Sequence, residues 1–191
     1  MPILFTKFGA VALALALSLL MWATRGHHFM SLTHLPDASW AIFFLLGFYF
    51  RQKVLLPLFL AQAAVVDYLS ITHFGVDDYC VTSAYVFLMP AYSALWLAGR
   101  WYAAHYQFNV RTLPSLAAAV VAGTFICELI SSGSFYFLGG RFADTSLQEF
   151  ASRLVQFYPA SLSGAAMYVG FAALVHILVT SHKLPASPAA Q

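Results

Sequence analysis

Charge is what this chain lacks most. Nine Lys/Arg and seven Asp/Glu make up 8% of its 191 residues, where soluble domains carry about 25%. With 61% of its residues hydrophobic, such a chain cannot cover itself with polar surface in water. That excludes a soluble domain and points to an integral membrane protein. The formal net charge of +2 is weak and scattered, which excludes a nucleic-acid footprint. Cysteine is nearly as scarce. Cys80 and Cys127 are the two in the chain, and without CxxC spacing they make neither a zinc cage nor a disulfide framework. No GxxxxGK loop is present to cradle ATP, and no HExxH or helical His-x3-His pair to chelate zinc. A transporter built on this chain would draw its energy from a partner, or work passively or by trapping.

What is present is a succession of apolar runs. About 20 apolar residues cross about 30 Å of hydrocarbon as a helix. Six segments qualify or nearly so: residues 4–24, 38–51, 54–73, 81–105, 114–139 and 148–181. The first resembles a signal peptide but lacks a small-x-small cleavage site before a polar region, and reads as a spanning helix. The second is short, with Pro36-Asp37 as its start signal and Asp37 near the N-cap. Pro90 and Pro159 are expected to kink the fourth and sixth helices and open a cavity. No linker or repeat divides the chain. Residues 1–183 read as one all-α, six-helix transmembrane domain, and 184–191 ("LPASPAAQ") as a disordered tail. Six helices are few for an inverted-repeat secondary transporter.

With the N-terminus inside, the cytoplasmic segments carry Lys7, Arg51, Lys53, Arg100, Arg111 and Lys183, and the outer ones Arg25, Arg141 and Arg153. That asymmetry fits the positive-inside rule. It sets both termini in the cytoplasm and turns the stretch "GVDDYCVTSAY", residues 75–85, outward. Cys80 then lies at the start of the fourth helix, where backbone N–H groups favour a thiolate while Asp77 and Asp78 oppose it. It reads either as a small apolar residue at a helix end or as a nucleophile or ligand for a soft or borderline metal. Cys127, mid-helix beside Glu128, reads as packing.

Asp67 and Glu128 are intramembrane carboxylates, costly unless paired or wetted, and so either functional or members of a structural pair, for instance with Arg153. Four histidines, His27, His28, His34 and His73, fall on the same side as Cys80, while His105, His176 and His182 fall on the other. Tyr79 and Tyr85 flank Cys80 and read as the wall of a pocket for a large, flat, amide-decorated ligand, or as part of an aromatic belt. Most of the remaining aromatics, 17% of the chain with these, are expected at lipid or interfaces. In the first helix, Ala10-x3-Ala14 and Ala12-x3-Ala16 have the spacing that lets helices approach closely.

Six helices in about 190 residues, a small-residue first helix and "DDYCVTSAY" around Cys80 resemble the BtuM family. These are small bacterial membrane proteins similar to the substrate-binding S-components of energy-coupling-factor transporters, with cobalamin (vitamin B12) as ligand. The resemblance runs over the whole chain and is most specific around Cys80. It implies an inner-membrane, multi-pass protein that takes cobalamin from the outer side, with Cys80 ligating the cobalt axially and assisting decyanation of cyanocobalamin. It also implies pocket roles for Tyr85, His28, Asp67, Arg153 and Tyr79, and an energising module docking on Ala10 and Ala14. The alternative is a membrane thiol enzyme of exosortase type, with Cys80 as nucleophile and Arg153 and His28 recruited beside it.

Overall fold

The computed structural model describes residues 7–25, 35–79 and 81–183. His28, Cys80 and the tail lie outside them. The described residues are helical throughout: α1 Lys7–Arg25, α2 Ser39–Tyr49, α3 Leu55–Phe74, α4 Leu88–His105, α5 Leu113–Leu138 and α6 Leu147–Lys183, with short 3-10 turns at Ser83–Phe87 and Val110–Thr112. Four of them, α1, α3, α5 and α6, are long and apolar enough to cross a membrane. The other two depart from that pattern for different reasons.

α2 has 11 residues, nine of them buried, so it is about 16 Å long. A helix apolar on every side belongs inside a protein, and α2 contacts each of the other five helices. Its closest neighbour is α4. A Cβ on Gly47 would lie 2.0 Å from the Trp96 carbonyl oxygen, and a Cβ on Gly99 would lie 2.0 Å from that of Phe44. The two glycines thus let the two backbones touch reciprocally, which no larger residue permits. Arg100 donates to the Phe50 carbonyl at 3.2 Å, satisfying the end of α2. α5 packs on the far side of α4, again through a small residue, Gly123 against Ala98.

α4 begins later than its sequence suggests. Residues 83–87 form a 3-10 turn capped by Thr82, whose hydroxyl accepts from Ala84 N–H at 3.2 Å. The α-helix starts at Leu88, so Pro90 lies in its first turn. A proline there has no missing backbone partner, so it initiates the helix and does not kink a longer one. α6, by contrast, runs through Pro159 as one 37-residue helix.

The aromatic residues are less peripheral than expected. Phe43, Phe44, Phe48, Phe59, Tyr92, Tyr102 and Tyr136 are all buried, and Phe43 stacks on Tyr92 with centroids 4.5 Å apart. Cys127 is fully buried.

Candidate functional site

Gly75, at φ 66°, ends α3 in the left-handed conformation that glycine adopts without strain. The chain then crosses toward the Ser83–Phe87 turn, which leans on α5 with Ser83 Oγ donating to the Leu138 carbonyl at 3.2 Å. Ala84 and Tyr85 of this turn line a cavity of about 360 Å³, together with Arg25, Asp37, Asp67, Tyr92, Glu128 and Arg153 among others.

One wall is a closed ionic network. Arg25, in the last turn of α1, grips Asp67 with both prongs of its guanidinium, Nε to Oδ1 at 2.6 Å and Nη2 to Oδ2 at 2.7 Å. The same guanidinium donates through Nη1 to Ser39 Oγ at 2.9 Å and to the Tyr92 hydroxyl at 2.8 Å, and lies 3.6 Å from Asp37. Asp37 in turn accepts from Ser39 N–H at 2.9 Å and Ser39 Oγ at 2.7 Å at the start of α2. Fork-on-carboxylate pairing is the strongest kind of charge-assisted hydrogen bond in proteins. Tyr85 completes the set, its hydroxyl donating to Asp67 Oδ2 at 2.7 Å. Tyr85 is thereby held as a donor to the Asp67 carboxylate.

The opposite wall is built differently. Glu128 on α5 is 4% exposed, and its hydrogen-bond partner is Ser132, one turn along the same helix, whose hydroxyl donates to Oε1. Arg153 on α6 lies over three rings, those of Phe142 at 4.8 Å, Phe157 at 5.5 Å and Tyr136 at 5.8 Å. Tyr136 is itself fixed, donating to Glu149 at 3.0 Å and accepting from Ser146 N–H at 3.1 Å. Both ion pairs among the described residues belong to Arg25. Glu128 and Arg153 thus line one cavity, and neither takes part in an ion pair among the described residues.

Of the residues singled out in the sequence, Asp67, Tyr85 and Arg153 come together in this cavity. Tyr79 stands at its edge, its ring 5.6 Å from that of Phe135, which lines the cavity. Arg141 holds Tyr79 from the other side, 4.9 Å above the ring and bonded to its carbonyl at 3.2 Å. The chain on either side of position 80 is therefore pinned beside the cavity, with Tyr79 N–H donating to Asp77 Oδ1 and Val81 N–H to the Asp78 carbonyl, both at 2.8 Å. The expected helix N-terminus at Cys80 is displaced. The first turn after it is 3-10 and starts at Ser83, and the α-helix follows five residues later, because Pro90 fixes where the regular helix begins. The partner of Asp67 is Arg25, not Arg153. Ala10 and Ala14 are half-buried against the core, while Ala12 and Ala16 are exposed.

Arg25, Tyr92 and Ser39 carry no local signature of a site. Depth is the one signal in the sequence that could pair them: Arg25 ends the first helix and Asp67 nears the end of the third, both on the same side. Among the described residues no group of three or more His, Cys, Asp or Glu is gathered to hold a metal ion. Set beside known protein families and curated proteins, the chain matches no family and no curated protein.

Proposed function

We propose that the chain is a six-span inner-membrane protein of the energy-coupling-factor S-component type, which captures cobalamin from the outer side and ligates its cobalt through Cys80. The observation that carries this reading is the convergence of Asp67, Tyr85 and Arg153 on one cavity, with Tyr79 at its rim. Their sequence positions span 67 to 153. A lone cysteine suffices for such a cargo, because a corrin brings four nitrogens to its own metal and needs only an axial donor. About 360 Å³ accommodates one flank of so large a ring, so the ligand extends past the cavity toward the segment that carries Cys80. His28 belongs to the same outer group on this reading.

Four helices are long and apolar enough to span, the Ser83–Phe87 turn and α4 together cover about 37 Å, and α2, at 11 residues, is the short inner helix. The free face of α1, on which an energising module would dock, carries Ala12 and Ala16 with Val11, Leu15 and Leu19. Ala10 and Ala14 pack on the protein's own core.

A thiolate bound to one face of cobalt donates its electron pair there, displaces the ligand's own nucleotide base and weakens a cyanide on the opposite face. Cyanide then leaves with the electron pair of the cobalt–carbon bond and takes up a proton from water. The test is the visible spectrum of the purified protein incubated with cyanocobalamin. A cobalt–sulfur absorption band and free cyanide are expected, and both vanish in Cys80→Ala. A colourless protein after incubation, or a spectrum unchanged by Cys80→Ala, overturns the reading. A colourless preparation that cleaves peptides would favour the thiol enzyme instead. Cobalamin-dependent growth of an uptake-deficient bacterium carrying the gene, with and without Cys80, extends the test to uptake.

A further inference from the structure

The acid and the base on the α5–α6 side of the cavity have a property that the Asp67 network does not share. Asp67 is paired with Arg25 through two hydrogen bonds and accepts from Tyr85 as well. Glu128 is buried, at 4% exposure, and accepts one hydrogen bond, from a hydroxyl of its own helix. A carboxylate has room for about four hydrogen bonds, and burying it with most of them unmade is costly. Arg153 has the complementary deficit. Its positive charge rests on ring faces, which supply attraction but accept none of its five N–H groups in a conventional hydrogen bond. Both side chains line the same space, and no ion pair joins them among the described residues. An acceptor and a donor that line one cavity without pairing with each other are complementary to a group that is both. A primary carboxamide is such a group, giving N–H to Glu128 and taking N–H from Arg153 with its carbonyl.

We propose that Glu128 and Arg153 form a carboxamide clamp that recognises a side arm of the ligand, and that Glu128 is the element that rejects a carboxylate in the same place. The inference rests on the cobalamin reading for the identity of the ligand, whose ring edge carries primary amides. Arg153 alone would prefer a carboxylate. Glu128 reverses that preference, because two like charges brought together in a desolvated cavity repel strongly.

The test is a spectroscopic titration of purified wild type, Glu128→Gln and Arg153→Gln with cobalamin and with its monocarboxylate derivatives, in each of which one peripheral amide has been hydrolysed. For at least one derivative, wild type is expected to favour the amide by about tenfold or more. Glu128→Gln is expected to weaken cobalamin several-fold and to shift its preference toward that carboxylate, because Arg153 is then unopposed. Arg153→Gln should weaken cobalamin and widen the discrimination against the same derivative. If wild type binds cobalamin but Glu128→Gln leaves the amide-to-carboxylate ratio unchanged for every derivative, the clamp is wrong while the cobalamin reading stands. If wild type binds neither form, both fall. Gln keeps the size of Glu, and Arg153→Gln reads the other half of the clamp should Glu128→Gln fail to fold.

Discussion

The two ends of the bundle each hold a cavity, and they are opposites in chemistry. At the far end from Asp67, α2, α4, α5 and α6 enclose about 520 Å³, lined by Phe48, Tyr49, Tyr102, Tyr106 and His176 and, among the described residues, by no Asp, Glu, Lys or Arg. Its one imidazole is bonded on both nitrogens, Nδ1 to the Tyr49 hydroxyl at 3.1 Å and Nε2 to that of Tyr106 at 2.8 Å. A neutral histidine has one donor and one acceptor nitrogen, so this histidine is complete. The Asp67 end is smaller, at about 360 Å³, yet five charged side chains line it, and Glu128 and Arg153 take part in no ion pair among the described residues. Volume favours the neutral end as a ligand site, and unspent hydrogen-bonding capacity favours the Asp67 end.

Substitutions at the two ends should therefore behave differently. The largest effect is expected for Arg25→Ala, which strands Asp67 and removes partners from Ser39 and Tyr92. Losing one member of a buried ion pair costs about 3–5 kcal/mol, and a large fall in thermal midpoint in detergent is the readout. A midpoint close to wild type would show that the ionic wall does not hold α1 to α3. Gly99→Ala acts on both ends at once, because the added methyl meets the Phe44 carbonyl of α2. Overpacking of this kind costs about 1–3 kcal/mol, and ligand binding and stability should fall together. Tyr106→Phe deletes one bond to His176 and is expected to cost about 1 kcal/mol. It should leave binding at the Asp67 end untouched. Loss of binding there would mean that the two ends are coupled through α2 and α4.

Apolar length made the helices legible in the sequence. The six segments match the six helices within about three residues at every end but one, because a run of apolar residues bounded by polar ones leaves the backbone little choice. The exception is the start of α4. There Pro90 reads as a kink when the helix is taken from residue 81, and as a first-turn residue once the 3-10 turn is known. In the cavity, depth and side sufficed to group Asp67, Tyr85 and Arg153. Pairing was not legible. Arg25 meets Asp67 across 42 residues and Tyr92 across 67, and nothing local to either position records the meeting. Gly47 and Gly99 stand alone in apolar runs without a GxxxG repeat, so their contact appears only when two helices are brought together. Tyr92 and His176 were hidden for the same reason, each having an unremarkable neighbourhood in the chain and a specific one in space.

The shortness of α2 bears on how the protein is made. At 11 residues it reaches about half the roughly 30 Å of a bilayer's hydrocarbon core, and it leaves the ribosome before the helix against which its backbone is fitted. The groove that Gly99 provides for Gly47 is completed only once α4 has been synthesised, some fifty residues later. Until then α2 lacks both the length to cross lipid on its own and the partner that covers its glycine face, so its packing is completed only when the middle of the sequence has been made and the earlier helix can fold onto it.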